Sequence, residues 1–100
     1  MNTYIIRRRS GWQNAGELEA TAALSLRIGN NEMPDRIRWI RTYVVQEQDG
    51  TLGTVCVYQA RDAAAILEHA RHVGMPADEI TPVGNTVIIR DDPVDSDKAA

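Results

Sequence analysis

One cysteine, Cys56, is all the thiol this 100-residue chain has, which excludes an internal disulfide, a four-thiolate zinc site and an iron–sulfur cluster. No apolar run approaches the roughly 20 residues of a membrane span, and the amino terminus lacks the apolar segment of a signal peptide. A cytoplasmic, reduced protein with no membrane partner is the expectation. Lysine is nearly missing as well, one against ten arginines. Arg7-Arg8-Arg9 is the only basic run, and with a net charge of −3 and a pI near 5.2 nucleic acid is not an expected partner. The run continues an apolar strand start, so it reads as a solvated strand end or ion-pairing surface rather than a phosphate site. Catalytic motifs are missing too. There is no glycine-rich loop ahead of a helix, no His-Glu-x-x-His and no nucleophile beside a recognisable base.

What is present, 43% hydrophobic and 25% charged residues, fits one compact domain. Its expected span is residues 1–90, with 91–100 an acidic, flexible tail poor in large apolar side chains. Tyr4 to Arg8 reads as a first strand. Ser10 to Asn14 turns the chain, with Asn14 a candidate N-cap. Leu18, Ala22 and Leu26 recur at helical spacing from Ala15 to about Ile28, and Gly29-Asn30-Asn31 is the expected stop. Arg36 to Gln48 reads as a long second strand, Asp49-Gly50 as a hairpin turn and Thr51 to Gln59 as the third strand. Asp62 opens a second helix that Gly74 ends, with Pro76 just beyond. Glu79 to Arg90 supplies a fourth strand, interrupted around Pro82 to Asn85. Strand, helix, strand, strand, helix, strand is the split βαβ order of the α+β ferredoxin-like sandwich, an antiparallel sheet with two helices on one face.

The other face is where function is sought. Because strand side chains alternate, Trp39, Arg41 and Tyr43 are placed together on it, beside Cys56 and Tyr58, while Val55, Val57, Ile40 and Val44 are assigned to the helix-covered side. A face of that composition is too apolar to stand bare and too polar for a core. It reads first as a homodimer interface and second as a pocket for a small anionic ligand bound by Arg41. Cys56 reads as a small buried residue, and Arg41 is the one group placed to activate its thiol.

On the second helix Ala63, Ile66, Leu67, Ala70 and Val73 form the predicted buried stripe. Glu68 and His72 then project outward with His69 on the edge, a set whose imidazoles and carboxylate suit nickel or another divalent metal. The competing reading is an ordinary solvated pair, with His72 complementing the helix carboxyl end.

Trp39 to Val44, Cys56-Val57-Tyr58, and Glu68-His69-Ala70-Arg71 through Gly74-Met75-Pro76-Ala77-Asp78 agree in type and order with the fixed points of a known family. Over residues 36–83 the chain resembles small bacterial ferredoxin-like proteins that include a nickel-binding member. The resemblance implies the fold and a metal-binding, non-enzymatic protein. It also implies histidine at the position of Arg41 and an acidic residue near Arg7. Both departures put a guanidinium where a metal would need a ligand, so the metal site is expected to be degenerate. Of the two histidines only His69 matches a position that the family keeps. The second functional expectation is an enzyme or sensor that binds a small acidic ligand on the open face of a dimeric barrel.

Overall fold

The computed structural model describes residues 1–93. Its elements are β1 (Asn2–Trp12), α1 (Ala15–Asn31), β2 (Ile37–Gln46), β3 (Leu52–Ala60), α2 (Ala63–Val73) and β4 (Glu79–Pro82). The strands form one antiparallel sheet in the spatial order β2-β3-β1-β4, which is the expected ferredoxin-like arrangement. Positions 94–100 of the expected tail lie outside the described residues.

Local chemistry sets most boundaries. The Asn14 side chain accepts the Glu17 N–H at 2.9 Å and the Glu17 carboxylate accepts the Gln13 N–H at 2.9 Å, a reciprocal cap that starts α1. The Asp62 carboxylate likewise accepts the Ala65 N–H at 2.9 Å. Gly74 closes α2 in the left-handed region, φ 82°, which costs glycine no Cβ clash. The hairpin between β2 and β3 turns through Gly50 at φ 88°, with Asp49 accepting the Thr51 N–H at 3.0 Å.

Three boundaries differ from expectation. β1 continues through the expected turn to Trp12, irregular between Arg8 and Trp12, where Ser10 takes a positive φ of 49°. α1 does not stop at Gly29 but runs to Asn31. There Gly29 packs across from α2, where an added Cβ would lie 3.6 Å from His69 Nε2, and the chain leaves the helix just before Pro34. β4 ends at Pro82, which has no N–H for the ladder. Val83 still donates to the Thr3 carbonyl at 2.9 Å, but residues 84–92 are not a strand, and Val87, Ile88 and Ile89 stand 71–78% exposed.

The core gathers Tyr4 and Ile6 of β1, Ile37 of β2, Cys56, Tyr58 and Ala60 of β3, Ile28 of α1 and Ile66 and Val73 of α2. Both helices therefore cover the face that carries Tyr4, Ile6, Cys56 and Tyr58. The opposite, open face carries Ile5, Val55 and Val57.

Candidate functional site

One extra residue on β2 decides what each face presents. Trp39 pairs with Tyr58 and Arg41 with Val57, so Ile40 is a bulge without a partner on β3, and the alternation reverses across it. Trp39 Nε1 donates to the Thr42 hydroxyl at 2.7 Å, which ties the bulge from the helix side. Trp39, Cys56 and Tyr58 consequently lie under the helices, and Arg41 and Tyr43 lie on the open face with Val55 and Val57. The expected five-residue face is divided between the two sides of the sheet. β3 is also inverted relative to expectation, because both faces of that strand are apolar and its sequence gives no contrast between them.

Under α1 the sheet leaves a cavity of about 260 Å³ lined in part by Arg8, Trp12, Trp39, Cys56 and Tyr58. Trp39 and Tyr58 stack nearly parallel, ring centroids 6.1 Å apart at 7°. Tyr58 Oη lies 3.3 Å from Ser25 Oγ, and burial, opposed by that bond, pushes the phenol above its ordinary pKa. The Cys56 sulfur accepts from the Thr42 hydroxyl at 3.2 Å and lies 3.5 Å from the Thr54 hydroxyl. Arg41 is across the sheet from it and cannot activate the thiol. Arg8 is 1% exposed. It was expected on the surface, yet it follows Tyr4 and Ile6 at a spacing of two, and that alternation is the signal that places it inside.

On the open face Arg41 Nη1 donates to Asp92 Oδ2 at 3.1 Å and to Tyr43 Oη at 3.4 Å, and Tyr43 Oη donates to Asp92 at 2.9 Å. The acceptor that Arg41 needs comes from its own chain, 51 residues away. Residues 83–92 thus run across the open face, from the β4 edge to β2, beside a groove that Ile5, Ile40 and Val57 also line. Arg7, in the row next to Arg41, donates to both oxygens of Glu47 at 2.8 and 3.0 Å. That guanidinium, and after it the Ser10 N–H, holds the Glu47 carboxyl below the usual carboxylate range.

α2 sits rotated from its expected orientation. Ala65, Ile66, His69, Ala70 and Val73 are buried, and Leu67 is exposed. His69 Nε2 donates to the Ser25 carbonyl of α1 at 3.0 Å, and its Nδ1 is buried without a partner. Burial, opposed by the Ser25 bond and reinforced by the charge of Arg8, holds the imidazole below its ordinary pKa, so the ring is a neutral core group.

Residues 4–83 match the family described as nickel responsive protein SCO4226-like. The chain belongs to that family. The crystal structure of SCO4226 from Streptomyces coelicolor A3(2) superposes with a TM-score of 0.67 at 15% identity, over 85% of this chain and 99% of the other, a likeness that speaks to fold. No curated protein matches the chain.

For a nickel responsive family the ligand set matters, and the α2 residues do not fit one. His69 turns inward to Ser25, Glu68 turns to an ion pair with Arg36, and His72 is exposed beside Glu32 at 3.9 Å. These side chains diverge, because residues 68, 69 and 72 span more of the helix circumference than one ion can touch once His69 is at the buried centre. Among the described residues no three His, Cys, Asp or Glu side chains gather into a metal site. No described helix is long and apolar enough to cross a membrane.

Proposed function

We propose that the chain is a small, non-enzymatic, cytoplasmic member of the nickel responsive family that works as a homodimer through its open sheet face and retains only a degenerate metal site. The carrying observation is the fate of the two guanidiniums. At the positions where the resemblance implies an acidic residue and a histidine, Arg7 is clamped by Glu47 and Arg41 by Asp92. A divalent ion there would meet two cations whose counter-ions are already engaged.

The same pairing favours a second copy as the partner. The open face exposes Ile5, Ile40 and Tyr43, and the segment across it exposes Val87, Ile88 and Ile89. Arg7 and Arg41 on that face are paired within the chain, so a second copy can cover the apolar surface around them without burying either as an unpaired ion. A single buried, free cysteine suits a reducing compartment. Among the described residues the hydrogen-bond partners of the Cys56 sulfur are threonine hydroxyls, with no imidazole or carboxylate to act as a base, which supports the non-enzymatic reading.

Light scattering on tag-free protein should give about twice the chain mass of 11.1 kDa, and Tyr43→Asp should return it to monomer. Calorimetric titration with nickel should show no site tighter than about 100 µM, and Arg41→His should tighten binding by at least about tenfold. A monomeric wild type would defeat the dimer, and micromolar nickel binding by wild type would defeat the degenerate site.

A further inference from the structure

α1 is 17 residues long, yet only Ser25 and Ile28 are fully buried. Its first half presents Leu18, Thr21 and Ala22 to the sheet, side chains that leave the 260 Å³ cavity unfilled. A cavity of roughly 150 Å³ accepts a benzene ring, so this one has room for a ring and a short polar arm. Its walls are apolar, with Trp12 and Met75 beside the flat surface made by Trp39 stacked on Tyr58.

Arg8 supplies the polar end. Nη1 donates to the Pro76 carbonyl at 2.6 Å, and the guanidinium carbon stands 5.9 Å from the Tyr58 ring centroid. Nη2 is buried with no hydrogen-bond partner. Arg7, Arg9, Arg36, Arg41 and Arg61 have a carboxylate within ion-pair distance. Arg8 has none among the described residues, and unlike Arg27, Arg38, Arg71 and Arg90, which share that lack but are exposed to water, it is 1% exposed. A desolvated guanidinium without a counter-charge is costly, and its planar fork is matched by a carboxylate. Glu19, exposed at the cavity edge, disfavours a second negative charge on whatever enters.

We propose that the cavity between α1 and the sheet binds a small aromatic monocarboxylic acid, its carboxylate paired with the Arg8 guanidinium and its ring against Trp12, Trp39 and Met75. The site faces away from the open face, so the assignment holds whether or not that face dimerises. It moves the anion site expected at Arg41 to the other side of the sheet.

The only two tryptophans of the chain, Trp12 and Trp39, both line the cavity, so their emission reports its occupancy directly. Titration of the full chain with phenylacetate should give a saturable change with a Kd on the order of 100 µM, what about ten non-hydrogen atoms can supply. Phenylacetamide, of the same shape without the charge, should bind at least about tenfold more weakly. Arg8→Met keeps the length and removes the charge. It should weaken phenylacetate by about tenfold or more while leaving the amide unchanged. Ala22→Phe should fill the cavity and abolish binding of both. A wild type that shows no saturable change up to about 10 mM, equal affinity for acid and amide, or undiminished acid binding by Arg8→Met would each overturn the assignment. If circular dichroism shows that Arg8→Met does not fold, the acid–amide pair and Ala22→Phe decide it.

Discussion

Arg8 and Arg41 sit on opposite faces of one sheet and meet opposite fates. Arg41 is half-exposed, and its own chain supplies Asp92 and Tyr43 as partners. Arg8 is buried beside the Tyr58 ring and meets a single backbone carbonyl. Water would have screened Arg41 cheaply, while the interior offers Arg8 nothing comparable. Charge is therefore satisfied where it matters least and unmet where it matters most. The open face becomes a surface on which Arg7 and Arg41 are paired within the chain beside exposed apolar side chains, and the covered face becomes a pocket with one unanswered charge.

The largest test of that division uses two neighbours in β1. Ile6 is fully buried beneath the helices and Ile5 is 41% exposed on the open face. Ile6→Ala should cost about 2–5 kcal/mol of folding stability through lost burial and the hole left behind. Ile5→Ala should cost about 1 kcal/mol or less at low protein concentration, its penalty growing with concentration as dimer is lost. Urea unfolding at two concentrations reads both. Equal penalties at the lower concentration would mean that the faces are not distinct.

The order of elements was legible because its signals are local. Asn14, Asp62, Gly74 and Asp49-Gly50 act within a few residues and announce where helices and the hairpin begin or end. The faces were not legible for three separate reasons. The bulge at Ile40 carries no proline or glycine, yet it moves Arg41 and Tyr43 away from Trp39. The valines of β3 are as apolar as the Cys56 and Tyr58 that lie inside, so alternation fixed two faces without saying which one the helices cover. Period places Arg8 inside while charge argues for the surface, where its neighbours Arg7 and Arg9 are indeed ion-paired as such a run leads one to expect. The Asp92 contact is invisible for a different reason, since nothing in a sequence of this kind relates positions 51 residues apart.

A smaller effect comes from His69, which lies on the Arg8 side of the sheet. Burial, with the charge of Arg8 acting in the same sense, holds its imidazole below the ordinary pKa, so the unfolded chain takes up a proton more readily than the folded one. Folding stability is then complete above about pH 6.5, the ordinary imidazole value, and falls as pH drops below it. One such group changes stability by at most about 1.4 kcal/mol per pH unit. Thermal melts between about pH 7.5 and pH 5 lie above the ordinary carboxylate range and isolate this contribution. The wild type should lose stability over that interval, and His69→Gln should lose less. A parallel decline in both would place the titrating group elsewhere.

The smallest effect belongs to the Arg41 side. Asp92 and Arg41 are each about half-exposed, with side-chain accessibilities of 51% and 49%, so salt screens their attraction over about 10 Å at 0.1 M. Asp92→Asn should therefore leave the melting temperature where it was. What the pair can do is bias where the segment after β4 rests. That segment has no ladder of its own beyond the Val83 bond, and an exposed pair shifts such a local equilibrium by about twofold. Tryptic cleavage after Arg90 samples the released state, because a protease needs the segment lifted from the sheet. Cleavage should quicken by about that factor in Asp92→Asn, and raised salt should bring wild type to the same rate. Unchanged cleavage would show that apolar contacts with the open face hold the segment by themselves, and Arg41 would then be a solvated residue with an incidental partner.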